Sequence, residues 1–148
     1  MESLQKHEFE IPTDHYQFFI EDAETVFPGD DLWNEEEVSR RLAVRDGFIA
    51  VGTARYGGLT RIEVKVYGAR PVLALETCDY RIECRLRVLS GRVRLSAPEL
   101  VVAEGPGFQV APGLYDVAVC YVDVNQVTDE EQREGPDEYH ITMWPGAR

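Results

Sequence analysis

Short segments in which apolar and polar residues alternate make up most of this chain. The two clearest are RIEVKV at 61–66 and RIECRLRV at 81–88, where every second residue is apolar. Because successive side chains of a strand point to opposite faces, this pattern predicts antiparallel strands with one face buried and one in water. Weaker segments of the same kind lie at 8–11, 15–20, 48–55, 72–75, 93–95, 100–103, 108–110, 114–122 and 138–144.

Turn-forming residues separate these segments, as at Gly57-Gly58 and Ser90-Gly91. About eight to ten short strands with frequent turns predict an all-β, mainly antiparallel fold of the β-sandwich or jelly-roll type. No linker or change of composition divides the 148 residues. We therefore expect one β-sandwich domain spanning residues 1–148.

One short helix is predicted near residues 34–45. Asn34 is a suitable N-cap, and the three glutamates that follow it suit the positive end of a helix dipole. Arginines cluster toward the other end of the segment, and Asp46-Gly47 would terminate it. In this helix Val38 and Leu42 would face the core.

Charge is unevenly distributed along the chain, whose formal net charge is -12. Residues 21–37 contain eight acidic residues and no basic one, and residues 123–138 form a second acidic segment. Residues 55–94 contain nine Arg or Lys against four Asp or Glu. The acidic balance disfavours direct contact with nucleic acid or an anionic membrane, and it is compatible with a basic protein partner.

We predict that the two acidic segments form a surface for such a partner, for example a nuclease or a toxin. Trp33 would supply an aromatic anchor within this surface. The candidate partner-binding residues are Asp30, Asp31, Trp33, Glu35, Glu36, Asp129, Glu130 and Glu131. The alternative is that the glutamates only begin a helix, that Trp33 packs into the core and that the acidity serves solubility. Whether both segments lie at one end of the sandwich decides between these interpretations.

Cysteine and histidine usage gives little support to a disulfide or a metal site. The odd number of cysteines argues against a disulfide framework, and Cys84 and Cys120 are expected in the core. A bond between Cys78 and Cys84 under oxidation is the alternative. The three histidines are scattered, so we expect no metal and no cofactor. A calcium site formed by loop carboxylates such as Asp123 and Asp137 stays an alternative.

Catalytic signatures are equally weak. The serines have no nucleophile-elbow context, and the chain has no glycine-rich phosphate loop. A non-enzymatic binding module is therefore favoured over a small-ligand or calcium-binding sandwich and over an uncharacterised enzyme. No secretion signal and no apolar run of membrane-spanning length are present, so a cytoplasmic location is expected. A monomer and a homodimer are both compatible with the sequence.

Three local motifs occur in a characteristic order: His15-Tyr-Gln-Phe18, Pro112-Gly-Leu-Tyr115 and Trp144-Pro145. In these motifs, and in its length, acidity and β-rich layout, the chain resembles the competence protein J (ComJ) family. The resemblance implies a small cytoplasmic β protein that binds and inhibits a DNA-entry nuclease. It transfers no residue-level binding motif, so the candidate residues above rest on charge clustering.

Overall fold

Ten strands form two five-stranded sheets in a computed structural model that describes residues 2–29, 31–73, 78–100 and 105–146. In order across the first sheet, the strands are β1 (Gln5–Thr13), β5 (Gly58–Val66), β10 (Glu138–Pro145), β9 (Gly113–Val122) and β6 (Tyr80–Val88). In the second sheet they are β3 (Leu42–Arg45), β4 (Phe48–Gly52), β2 (Gln17–Asp22), β7 (Arg92–Ser96) and β8 (Gly107–Gln109). Of these neighbours only β5 and β10 are parallel.

The predicted all-β, mainly antiparallel fold is confirmed. The two most regular segments of the sequence form β5 and β6, and the alternating apolar side chains Ile62, Val64 and Val66 of β5 are buried. Residues 74–75 and 101–103, which belong to two further predicted strands, lie outside the described residues. A single domain covering residues 1–148 stays a prediction.

The main core lies between the two sheets. Side chains that alternate inward from both sheets meet there, as expected for two sheets packed face to face. The buried cluster includes Phe18, Ile20, Ile49, Val51 and Leu95 from the second sheet and Ile62, Val64, Leu86, Val117 and Ile141 from the first. Tyr115, Tyr121 and Tyr139 bury their rings in the same cluster.

A second, smaller core covers the outer face of the second sheet. Phe19 and Phe48 are buried there, with ring centroids 4.9 Å apart, and Leu32 and Trp33 pack against this cluster. Phe27, Leu32 and Trp33, from the segment between β2 and the helix, therefore pack on the outer face of the sheet. Burial on both faces explains why β2 and β4 have continuous apolar runs instead of an alternating pattern.

The single α-helix among the described residues, α1 (Glu35–Arg40), is shorter than predicted, and Val124–Gln126 form a 3-10 turn. It begins at the predicted N-cap Asn34, which also forms a capping box with Glu37. It ends at Arg41, in the left-handed conformation, because the following residues pair with β4 as strand β3. The prediction for Val38 is wrong: its side chain is 59% exposed, whereas Glu37 is buried. No helix in the described ranges is long and apolar enough to cross a membrane.

Glu37 is an acidic residue with a structural role. Its carboxylate accepts hydrogen bonds from the backbone N–H groups of Trp33 and Asn34, and an Nη1 of Arg45 donates to it at 2.6 Å. The hydrogen bond from Arg45, followed by that from the Asn34 backbone, lowers the pKa of Glu37 to about 2. The charge of Glu37 therefore holds the helix start against β3.

Two of the three cysteines depart from the prediction. Cys78 and Cys120 form a disulfide across 42 positions of sequence, with their Cα atoms 5.4 Å apart. Cys120 lies outside the main core because Val119 and Tyr121, its neighbours on β9, take the inward positions. Cys84 is the free cysteine of the described chain and packs against the main core. The alternative pairing of Cys78 with Cys84 is therefore wrong.

Glu37 makes the stability of the fold depend on acid pH. Its pKa is depressed in the folded state, so its contribution is complete above about pH 4.5 and is lost as the pH falls to about 2. We expect Glu37→Gln to flatten the pH dependence of the unfolding free energy in this window. Urea unfolding at several pH values measures this, with the exposed neighbour Glu36→Gln as control. Equal pH profiles for Glu37→Gln and the unmodified chain would contradict the assignment.

The disulfide should contribute measurably to stability because it closes a long loop in the unfolded chain. Reduction is expected to lower the unfolding free energy by about 2–4 kcal/mol. Urea unfolding with and without dithiothreitol measures the change. Cys84→Ser should keep the full response, and the double variant Cys78→Ser/Cys120→Ser should lose it. A response that persists in the double variant would show that the reductant acts elsewhere.

Candidate functional site

The two acidic segments meet at the turn that links the two sheets. This turn joins the end of β1 to the start of β2 through His15 and Tyr16, and the Gln17 N–H donates to the Asp14 carbonyl at 3.2 Å. The Tyr16 hydroxyl donates to a carboxylate oxygen of Glu130 at 2.8 Å. The next side chain, Gln17, accepts from the Trp33 indole N–H at 2.6 Å. Both acidic segments thus contact adjacent residues of one turn.

The candidate residues of the first acidic segment lie on either side of Trp33. Asp31, Glu35 and Glu36 are exposed, and Asp30 lies outside the described residues. Trp33 is half-buried, packs against the outer core of the second sheet and has a positive φ of 75°. Trp33 is therefore held in place at the surface, between the solvent and the outer core of the second sheet.

The candidate residues of the second segment, Asp129, Glu130 and Glu131, are all exposed. The hydrogen bond that Glu130 accepts raises the pKa of the Tyr16 phenol, because a hydrogen bond donated to a carboxylate favours the neutral phenol. The Glu130 backbone carbonyl also accepts from the Tyr56 N–H at 2.8 Å. These bonds hold Glu130 in a defined position beside the turn. A partner-binding role for the eight candidate residues stays a prediction.

A cavity of about 300 Å³ opens beside the turn. Trp33 and Val38 line one part of it, and Tyr16 lines another. The remaining lining residues are His15, Gln17, Arg41, Gly52 and Thr53. The sequence analysis did not find this cavity because its walls come from four separate segments of the chain.

A buried ion pair between Arg55 and Asp137 anchors the second acidic segment. The Arg55 Nε donates to Asp137 Oδ1 at 2.7 Å, and both side chains are almost completely buried. The guanidinium also donates to the backbone carbonyls of Gly57, Leu59 and Gln132. Arg55 therefore ties the segment before β10 to the start of β5.

Neighbouring groups complete this network. The Tyr139 hydroxyl donates to the second carboxylate oxygen of Asp137 at 2.8 Å and accepts from the Ala54 N–H at 2.8 Å. Burial raises the pKa of Tyr139, so its hydroxyl stays protonated and can donate. At Gly58, with φ of 96°, the Arg133 backbone occupies the space that a Cβ would need. Sequence analysis missed the pair because its members lie 82 positions apart.

Most of the basic residues in the centre of the chain are paired with carboxylates. Arg94 binds Glu21 at 2.8 Å, and Arg70 forms two hydrogen bonds with Glu83. Further pairs are Arg85 with Asp116, Arg87 with Asp46, Lys65 with Glu63 and Arg61 with Glu138. The basic centre seen in the sequence is thus largely neutralised on the sheet faces.

One group of potential metal ligands is present among the described residues. The ligand atoms of Asp14, His15 and Glu99 lie within 4.8 Å of one another. Hydrogen bonds already engage both carboxylate oxygens of Asp14, from the His15 ring and from the Glu99 N–H. The calcium alternative loses support at Asp137, whose two oxygens bind Arg55 and Tyr139.

The free thiol of Cys84 is unsuited to nucleophilic chemistry. Burial raises its pKa to about 12, so almost none of it is thiolate at neutral pH. Cys78 and Cys120 are joined to each other. Neither the buried thiol of Cys84 nor the disulfide therefore supports cysteine-based catalysis.

Asp137 should be among the most sensitive positions of the chain, because its loss leaves a buried guanidinium without its counter-charge. We expect Asp137→Asn to lower the unfolding free energy by about 3–5 kcal/mol. Urea unfolding measures the change, and Glu134→Gln, at an exposed position of the same segment, should change it by less than about 0.5 kcal/mol. Similar values for the two variants would contradict an anchoring role for the ion pair.

Comparison with known proteins identifies two similar structures. No family model matches the chain, and no curated protein matches it. ComJ from Bacillus subtilis, an inhibitor of the DNA degrading activity of NucA, has a TM-score of 0.71 at 16% identity, with 98% of each chain covered. The product of crocagin biosynthetic gene J has a TM-score of 0.71 at 19% identity, covering 97% of this chain and 98% of the other. The resemblance indicated by the sequence motifs is thus confirmed in the fold: this chain has a ComJ-like fold.

Proposed function

We propose that this chain is a non-enzymatic, inhibitor-type binding module that engages a basic protein partner through its acidic loops. The observation that carries this proposal is the meeting of both acidic segments at the Tyr16-Gln17 turn. Two segments about a hundred positions apart in sequence contribute to one surface. Acidic residues that served only to keep the protein soluble would not have to lie together on one surface.

The electrostatics of this surface differ from those of the sheet faces. Asp31, Glu35, Glu36, Asp129 and Glu131 are exposed and make no ion pair with any described residue. Carboxylates on the sheet faces are mostly matched by arginines. The unmatched negative charge therefore concentrates where the two segments meet, and it would speed encounter with a positively charged protein and disfavour acidic ones.

A nuclease fits the required partner chemistry. A protein that degrades DNA presents Lys and Arg to the phosphate backbone. An acidic surface of matching shape would compete with DNA for the same cations. ComJ, which shares this fold, inhibits the DNA degrading activity of NucA. We extend this type of activity to the present chain, and with it the expected cytoplasmic location.

The test starts from capture of the partner. The immobilised chain is incubated with lysate and culture medium of its source cells at low and high salt. A basic protein retained only at low salt, whose DNA degradation stops when free chain is added, is the expected result. Failure to retain any basic protein at low salt would overturn the proposal.

Charge-neutral variants then locate the surface. The triple variant Glu35→Gln/Glu36→Gln/Glu131→Gln should slow association with the captured protein about tenfold or more at low salt. A matched control changes Glu2, Glu8 and Glu10, which are exposed on and before β1, to Gln. Surface plasmon resonance measures both association rates. Equal rates for the two triple variants would show that net charge, and not this surface, drives binding.

A further inference from the structure

Most of the non-glycine residues with left-handed backbone in the described parts of the chain line the cavity beside the turn. Five non-glycine residues in the described ranges have clearly positive φ angles. Four of them, His15, Tyr16, Trp33 and Arg41, line this one cavity. Bulky residues adopt this region rarely, and such conformations collect at binding and catalytic sites, where the surrounding structure holds them in place.

The fold itself does not require these side chains. Positive φ at both central residues of a two-residue turn favours Asn-Gly, yet His15 and Tyr16 occupy these positions. A helix C-cap in the left-handed conformation favours glycine, yet Arg41 stands there. Glycine would complete the same backbone with less strain. The role of these side chains is therefore to form the wall of the cavity.

The wall is rigid and largely apolar. Trp33 is held by its hydrogen bond to Gln17, and the Tyr16 ring packs edge-on against Tyr56 with centroids 5.4 Å apart. The Thr53 hydroxyl is already used, donating to the Arg55 carbonyl. Tyr16 and Val38 remain partly exposed. A preformed recess with few free polar groups suits an apolar occupant.

Charges inside and outside the cavity specify the occupant further. Arg41 carries the one full positive charge among the described lining residues, and it would repel a Lys or Arg side chain within the cavity. An aromatic ring, in contrast, is compatible with a nearby guanidinium. Outside, Glu35, Glu36 and Glu130 provide negative charge for basic residues on either side of the occupant.

We propose that this cavity is an anchor pocket for one aromatic or large aliphatic side chain of the partner, flanked in the partner by Lys or Arg. This inference rests on the proposed function and names the part of the partner that is recognised. The chain supplies the pocket and the partner supplies the anchor, the reverse of the role that the sequence suggested for Trp33. A volume of about 300 Å³ suits a single side chain.

Three capped pentapeptides separate the anchor from the charge. They carry the sequences Lys-Lys-Phe-Lys-Lys, Lys-Lys-Gly-Lys-Lys and Ser-Ser-Phe-Ser-Ser. Isothermal titration calorimetry measures their affinities, and the indole N–H signal of Trp33 in a ¹⁵N–¹H spectrum reports occupancy of the cavity. We expect the Phe-centred lysine peptide to bind about tenfold more tightly than the Gly-centred one and to shift the Trp33 signal.

Two variants test the cavity without endangering the fold. The double variant His15→Asn/Tyr16→Gly replaces two strained residues by those that the turn favours, and this relief offsets the loss of the Tyr16 contacts with Glu130 and Tyr56, so its melting temperature should change little. Its affinity for Lys-Lys-Gly-Lys-Lys should stay unchanged, which checks that the acidic surface is intact. Val38→Trp fills the cavity from an exposed helix position. Both should abolish the preference for Phe over Gly. Tyr80→Ala, at a similarly exposed aromatic residue outside the cavity, should retain it.

The outcomes distinguish this inference from the function on which it rests. Equal affinities for the two lysine peptides, both above that of the serine peptide, would overturn the anchor pocket and leave the acidic binding surface in place. A Phe preference that persists in both cavity variants would also overturn it. Lysine peptides that bind no better than the serine peptide would instead count against the acidic surface itself.

Discussion

The buried pair of Arg55 and Asp137 is the interaction on which the functional end of this molecule depends. Each charge would be costly to bury alone, and the pair is tolerated because nearly every polar atom finds a partner. The Arg55 guanidinium donates to one carboxylate and to three backbone carbonyls. The Tyr139 hydroxyl donates to the second oxygen of the same carboxylate. These bonds join the loop after β4, the start of β5 and the segment before β10. The exposed second acidic segment is thus held by a fully buried charge.

Acidic residues play two distinct parts in this chain. Glu21, Glu37 and Asp137 are buried, and each is matched by an arginine. These residues hold strands, the helix start and a loop in place. The exposed carboxylates of the two acidic segments, such as Glu35, Glu36 and Glu131, make no such ion pair with the described part of the chain, and the proposed binding surface is built on them. The number of acidic residues in the sequence is therefore larger than the number available on the acidic surface. The two segments that carry the exposed acidic residues both contact one turn, so this surface has a defined location.

In the proposed anchor pocket, stability and binding would oppose each other. Left-handed backbone at His15, Tyr16, Trp33 and Arg41 costs free energy that glycine or asparagine would reduce. The buried network and the outer core over Phe19 and Phe48 supply stabilising free energy that offsets this strain. A preorganised wall, in return, loses little conformational entropy when a side chain enters. A preformed pocket of this kind would therefore combine strained backbone at the turn between the sheets with a smaller entropy cost of binding.

The sequence by itself determined the elements that follow from local rules. Period-two alternation predicted β5 and β6 because one face of each is buried, and the N-cap residue Asn34 marked the helix start. The tertiary structure alone decided that residues 42–45 form a strand, that Cys78 pairs with Cys120, and that Trp33 and Glu130 meet at one turn. Each of these depends on which strands become neighbours in the sheets. Contacts across tens of positions leave no local pattern, so the site became visible only once the two sheets were packed together.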